Sequence, residues 1–555
     1  MASIKASEHG KKLLRYITKD RKDLTNIYLY AIFNGIVYLS IPLGIQSIIS
    51  YVMGATMVTS IYILICLVVI GTFLVGYFKL KVLEIIEKIQ QKIYVEFSMA
   101  FAEKLPKVDL FSTRKYYLPE LVNRFFDIQN LQKGISKILL EIPTALIQIL
   151  FGILLLSFYH PLFLVFGGLV ILSIGGIFYY TMESGIKSSL DESDKKYETA
   201  SWLEDVADSV KTFKMHSEKG IHLIGTDNRI LEYIKHRTTH FKVLVLQYKT
   251  IVAFNVIITF TMLAIGTYLM VNQQLNIGAF IATEIVLLTI MAAVEKLIIS
   301  LESYYDLIAA YAKLTKVTEL KEEKEGDIKL QNNNKGISIE FDHVNFSFNE
   351  TPNVLSNINF KINENTINVV TGEMGSGKSL LLNILAGFYE ASSGSILFDK
   401  IPLKNLNKEY FRNHVGLYLE TTKVIKGTVQ ENILLGNTES NTESILMLSE
   451  QLGIDNISSE FSQGFFTEIS ETDSELSFNT KKKILILRSL LGNKKLLLLE
   501  NPFAGMSEKF KENMMHYLNN LKRNTTIVIV STDKNLISHA DQHIHLEKGT
   551  LRIMP

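Results

Sequence analysis

Eight consecutive residues, Gly372-Glu373-Met374-Gly375-Ser376-Gly377-Lys378-Ser379, have the composition of a phosphate cradle. Glycines let backbone N–H groups curl around phosphate oxygens, and the start of a following helix adds a positive dipole. The spacing assigns Lys378 to the β- and γ-phosphates and the Ser379 hydroxyl to Mg2+. The flanking sequence supplies the required context. Thr366–Thr371 is predicted as a strand and Leu380–Ala386 as a helix, so the loop joins a strand to a helix.

A second acid belongs beside it. Lys495-Leu496-Leu497-Leu498-Leu499-Glu500 is continuous apolar chain ending in a carboxylate. A buried parallel strand that delivers an acid toward Mg2+ has this pattern. Thr526–Val530 reads as a further strand, ending at Ser531-Thr532. Ahead of the cradle, Ile337–Phe341, Val344–Phe348 and Ile358–Ile362 alternate as strands do. Residues 321–336, rich in charge, Asn and Gly, read as an exposed linker.

The first half of the chain has a different character. The protein has 555 residues, 47% of them apolar, with 57 basic and 56 acidic residues giving a net charge of +1. Mean hydropathy is +0.19. That balance excludes a disordered chain and argues against nucleic acid as a partner. A single cysteine, Cys66, excludes an internal disulfide framework and any multi-cysteine metal site.

Leu24–Phe78, Ile142–Met182 and Thr250–Thr283 contain no Asp, Glu, Lys or Arg. One membrane span needs ~20 apolar residues, so the first two runs hold two each; the third, whose apolar pattern continues to about Ser300, holds two more, and six spans are expected. Turns fall near Gly54, at His160-Pro161 and at 272–278. Lys and Arg gather before the first span and in the connections 79–141 and 183–249, which assigns these to the cytoplasm. No cleavable leader is expected. Lys11–Leu24 reads as an amphipathic helix on the inner membrane surface. The two connections are predicted to be helical extensions turning near 111–126 and 205–214. Glu284, near the start of the sixth span, is either a functional acid or solvated at the outer interface. Pro42, Pro143 and Gly35 read as kinks or packing positions.

With these motifs in order, the chain resembles a half-transporter of the ABC exporter type over essentially its whole length. The resemblance implies a six-helix transmembrane domain (1–320), a linker (321–336) and an α/β P-loop ATP-binding domain (337–555). It implies ATP and Mg2+ as cofactors, a second half-transporter as partner in a homo- or heterodimer, and the inner membrane as location. The lipid bilayer and an exported substrate are partners too. Ile41-Pro42-Leu43 and Asn276-Ile277-Gly278 resemble exporters of bacterial proteins and peptides, which adds a periplasmic adaptor. By the same resemblance Phe348 stacks on adenine, and Gly372 through Ser379 bind the nucleotide. Ser379, Glu420 and Glu500 face the metal.

Several positions depart from the family pattern. Glu420 stands where the family has Gln. The signature Leu-Ser-Gly-Gly-Gln reads Leu476-Ser477-Phe478-Asn479-Thr480, keeping Ser477 as a helix cap but placing bulk where backbone must approach phosphate. Asn501 replaces the carboxylate expected to take a proton from water, and a neutral amide cannot do so. Ser507 stands for the dimer-contact Asp and Thr532 for the usual His. The catalytic positions Glu420, Glu500, Asn501 and Thr532 thus predict an export subunit that holds ATP but splits it weakly. The alternatives are a fully active homodimeric pump and an ATP-gated membrane regulator that does not pump.

Overall fold

The computed structural model describes residues 2–54, 59–216, 220–331, 335–348, 352–437, 439–454, 457, 460–472 and 476–554. They form two compact units. One comprises Met1–Val108 and Lys115–Lys321, the other Asp109–Arg114 and Glu322–Pro555.

The first unit is helical: α1 (Ala2–Ile17), α2 (Arg21–Met53), α3 (Ser60–Lys104), α4 (Asp127–Tyr159), α5 (Leu162–Asp208), α6 (Ile221–Val271) and α7 (Ile277–Thr318). Six of these, α2 to α7, are long and apolar enough to span a membrane, as the charge-free runs predict. The expected helix Lys11–Leu24 is instead the end of α1, a break at 18–20 and the start of α2. Asn276 caps α7 by accepting from the Ala279 N–H at 2.7 Å. The charged ends of α3 and α5 continue as helix to Lys104 and Asp208, and short helices such as Leu118–Val122 and Val210–Met215 follow them.

Small residues set the close helix approaches here. A Cβ on Gly35 would lie 2.3 Å from Ile147 Cγ2, and one on Gly185 would lie 2.3 Å from the Tyr305 ring. Gly35 is therefore a packing position. Pro42 and Pro143 are buried within unbroken α2 and α4. Glu284 is half-buried, and its Oε2 is buried with no hydrogen-bond partner among the described residues.

The second unit is built on two main sheets. β1 (Ile339–Phe346), β2 (Leu355–Ile362), β4 (Ser393–Phe398) and β5 (Ile401–Pro402) make an antiparallel sheet in the order β2-β1-β4-β5. The other sheet runs β12-β11-β3-β10-β9-β6, from β3 (Ile367–Gly372), β6 (Val415–Tyr418), β9 (Leu496–Glu500), β10 (Thr526–Val530), β11 (Gln542–Glu547) and β12 (Thr550–Met554), while β7 (Gly427–Thr428) and β8 (Glu468–Ile469) pair with each other. The two strands expected over 337–348 are one. β1 absorbs Asp342-His343 as a bulge, with His343 at φ +46°.

Parallel register decides what meets at the sheet's carboxyl edge. Val530 of β10 pairs with Val370 of β3 on one side and with Glu500 of β9 on the other. The cradle after β3 and the acid ending β9 therefore emerge side by side. The strand bodies are fully buried, as continuous Leu, Ile and Val require.

The segment read as an exposed linker is held down. Arg412 donates to both Glu323 carboxylate oxygens at 2.5 and 2.6 Å, Lys408 N–H donates to Glu325 at 2.8 Å, and Ile328 bridges to Leu406. A bidentate Arg–carboxylate pair fixes orientation as well as adding energy. Residues 332–334 of the expected linker lie outside the described residues.

Candidate nucleotide site

The cradle takes its shape from glycine. Gly375 at φ +81° and Gly377 at φ +102° occupy backbone space that side chains strain to enter. Helix α8 (Lys378–Leu385) begins directly after them. Among the described residues, the N–H groups of Gly375, Gly377, Lys378 and Ser379 donate to no protein acceptor, as an anion site at a helix start requires. Glu373 and Ser376 close the loop through Ser376 N–H to Glu373 O at 3.2 Å, and Met374 is fully exposed at its tip. The Lys378 ammonium folds back onto the Gly372 and Glu373 carbonyls at 2.9 and 2.6 Å.

The metal-facing positions converge. Ser379 Oγ donates to Glu500 Oε1. Glu420 N–H donates to Glu500 Oε2 at 3.0 Å, and Asn501 Nδ2 donates to Glu420 Oε1 at 2.9 Å. Ser379, Glu500, Glu420 and Asn501 thus form one chain of contacts. A hydroxyl and carboxylates are the hard oxygen donors Mg2+ prefers, so Ser379 and Glu500 fit that ion and the free N–H groups fit a polyphosphate. Asn501 sits at φ +46°, a conformation Asn tolerates better than most residues, and its N–H donates to Val530 O at 2.7 Å.

The sequence reading missed two neighbours. Lys482 lies on α9 (Phe478–Leu490) and is buried, donating to the Asn501 and Ala504 carbonyls at 2.8 and 2.7 Å. Burial draws its ammonium below the ordinary lysine range, against the opposing pull of the Glu420 carboxylate. Tyr418, at the end of β6, is pushed up to about 12 by burial, with the Glu420 and Glu500 charges adding to it. Lys482 sits in the run Lys481-Lys482-Lys483, which carries no periodic signal separating a buried lysine from two surface ones.

Phe348 packs edge-on against Phe346, ring centroids 4.9 Å apart, and the Arg114 guanidinium lies 4.4 Å from its ring centre. Ser477 caps α9, accepting from Thr480 N–H at 3.1 Å. Thr532 is exposed just past β10 and makes no hydrogen bond to the cluster among the described residues.

Comparison with known proteins identifies this arrangement. Residues 355–504 match the ABC transporter family. A bacterial Atm1-family ABC exporter with ATP bound has the same fold, with a TM-score of 0.83 at 16% identity over 96% of this chain and 94% of that one. The chain therefore has the fold of an ABC exporter half-transporter, and its second unit carries a segment that matches the ABC transporter family.

The uncharacterized ABC transporter ATP-binding protein YknV of Bacillus subtilis is 27% identical over 299 residues, 53% of this chain and 49% of that protein. ABC transporter B family member 13 of Arabidopsis thaliana is 30% identical over 215 residues, 39% of this chain and 17% of that one. The chain thus spans about half or less of the length of these curated relatives.

Six helices long and apolar enough to cross a membrane precede the unit that contains the matched segment, and the Lys and Arg distribution places that unit on the cytoplasmic side. Within that unit, Phe478 is 70% exposed at the start of α9. Ser507 caps α10 (Glu508–Leu521), accepting from Phe510 N–H at 3.3 Å.

Proposed function

We propose that this chain is one subunit of a dimeric ABC exporter and that its own site binds Mg-ATP but turns it over slowly. The observation that carries the reading is Asn501. The backbone of β9 delivers its amide directly after Glu500, into contact with Glu420. An amide there cannot accept the proton of an attacking water. General-base help is worth about 10²–10⁴-fold, or roughly 3–5 kcal/mol of barrier. ATP held by Gly372 through Ser379, with adenine on Phe348, would then act mainly as a long-lived clamp between two ATP-binding domains. Ser379, Glu500 and Glu420 would hold Mg2+.

With a partner of regular motifs, the partner's own cradle would do most of the hydrolysis, opposite Ser477 and Phe478 of this chain. ATP-driven closure can do work on the membrane helices only through its different affinity for the two states. The reading of the cargo as peptide or protein, with a periplasmic adaptor as a further partner, rests on the resemblances at 41–43 and 276–278. Uptake of labelled peptide into inside-out vesicles checks it. Single-turnover hydrolysis by the purified full-length chain tests the central claim. Slow turnover that Asn501→Glu accelerates about tenfold or more is expected. A wild-type rate like that of a regular exporter would reject it.

A further inference from the structure

Away from the nucleotide site, one cavity in the helical unit has an uneven balance of charge. It encloses about 360 Å³ among α4, α5, α6 and α7, and four basic and three acidic side chains line it. Two of the acids are already paired: Asp127 with Lys196 at 3.3 Å, and Glu192 with Arg237 at 3.1 Å. The third, Asp306, accepts from Ser189 Oγ at 3.1 Å. Desolvation raises its carboxyl above the ordinary aspartate range, toward the neutral form. Lys133 and Lys137 remain, and neither has an acidic or hydrogen-bond partner among the described residues. The Ser193 and Ser303 hydroxyls in the same wall are uncommitted too among the described residues.

The backbone holds these donors in place. Lys133 and Lys137 stand one helical turn apart on α4. Gly134 beside them lets α4 lie close on α7, where an added Cβ would come 3.1 Å from Leu307 Cβ. The lysines therefore flank a fixed seam between two helices. Lys137 and Lys133 are five and nine residues before Ile142, where the charge-free run begins. At 1.5 Å per residue that is about 8 and 14 Å along the helix, on the cytoplasmic side. A headgroup layer is about 5–8 Å deep, so the cavity reaches it from below.

We propose that this cavity binds a phosphate monoester group, with Lys133, Lys137 and the Ser193 and Ser303 hydroxyls taking its oxygens. Such a group carries about −1.5 to −2 charge at pH 7 and presents three acceptor oxygens. Two unpaired ammonium groups match that charge. Donors arriving from α4, α5 and α7 suit a tetrahedral acceptor better than a planar carboxylate. The group has two sources of the same chemistry, a phosphatidic acid headgroup in the cytoplasmic leaflet or a water-soluble phosphorylated compound. Basic pockets between membrane helices on this side are suited to the first.

The test uses the full-length protein in nanodiscs. In one arm phosphatidylcholine discs carry added phosphatidic acid, and lipid bound to the protein is titrated by native mass spectrometry. In the other the discs hold phosphatidylcholine alone, and glycerol 3-phosphate is titrated by calorimetry. Binding in the first arm alone marks a lipid source, and binding in the second marks a soluble one. In the arm that binds, Lys133→Gln combined with Lys137→Gln should weaken affinity about tenfold or more. Ser193→Asp, which adds a carboxylate to the cavity, should do the same. Lys79→Gln, at the same membrane face on α3 but outside the cavity, should change affinity less than about twofold.

Binding in neither arm would overturn the proposal. So would unchanged affinity in either cavity variant, or a loss from Lys79→Gln as large as theirs, which would mean that the phosphate follows surface charge alone.

Discussion

At the scale of single residues, the proposed function separates holding ATP from splitting it. Lys378 is held at the cradle by two loop carbonyls, and nucleotide phosphate would compete with them for its ammonium. A charge-assisted hydrogen bond contributes about 1.5–3 kcal/mol. Lys378→Ala should therefore weaken ATP binding by roughly 10–100-fold, read by equilibrium binding of a fluorescent ATP analogue. Lys482 makes a different prediction. It satisfies two carbonyls from a buried position, and Lys482→Met keeps its bulk while removing its donors. Unsatisfied buried acceptors cost about 1–3 kcal/mol each, so the ATP-binding domain should melt earlier by several degrees in calorimetry. An unchanged melting temperature would mean that water replaces the ammonium there.

At the scale of elements, legibility followed the physics of each segment. β9 and β10 were readable almost residue for residue, because a strand buried on both faces has only apolar positions to show. β1 was read as two strands because Asp342-His343 interrupts its alternation, and a bulge leaves no other sequence mark. The break between α1 and α2 had a sequence mark that the amphipathic pattern overrode: Thr18 and Asp20 are poor helix-interior residues, and Asp20 is the N-cap position of α2. The cradle was legible as a local motif. The contacts of Glu420 and Lys482 with the Asn501 strand end were not, since they join residues 81 and 19 apart. α9 offers a test at this scale. Its N-cap is intact, and Ser477→Ala should cost about 0.5–2 kcal/mol of domain stability without touching ATP affinity at this chain's own cradle. In the first unit, Gly185→Val would drive two methyls into the Tyr305 ring and so into the Gln247 and Thr181 hydrogen bonds to Tyr305. Overpacking costs about 1–3 kcal/mol, and lower yield of folded protein in detergent with normal ATP affinity is the expected signature.

At the scale of the whole molecule, the proposed slow hydrolysis would change what ATP does over time. A ligand that binds only the folded state stabilises it by about 2.7 kcal/mol at a hundred times its dissociation constant. A competent ATPase loses that gain as ATP is consumed, whereas a chain that holds ATP keeps it. Wild-type protein incubated with Mg2+ and a slight excess of ATP should keep its raised melting temperature through a long incubation. The Asn501→Glu variant should begin with the same rise and then drift toward the value of its ADP complex. Replacing Mg2+ with EDTA should abolish the drift in the variant, because the Ser379–Glu500 pair then has no ion to hold against the phosphates. If the wild type drifts as fast as the variant, ATP is not a clamp in this chain. The directional work of the proposed exporter would then have to come from both sites equally.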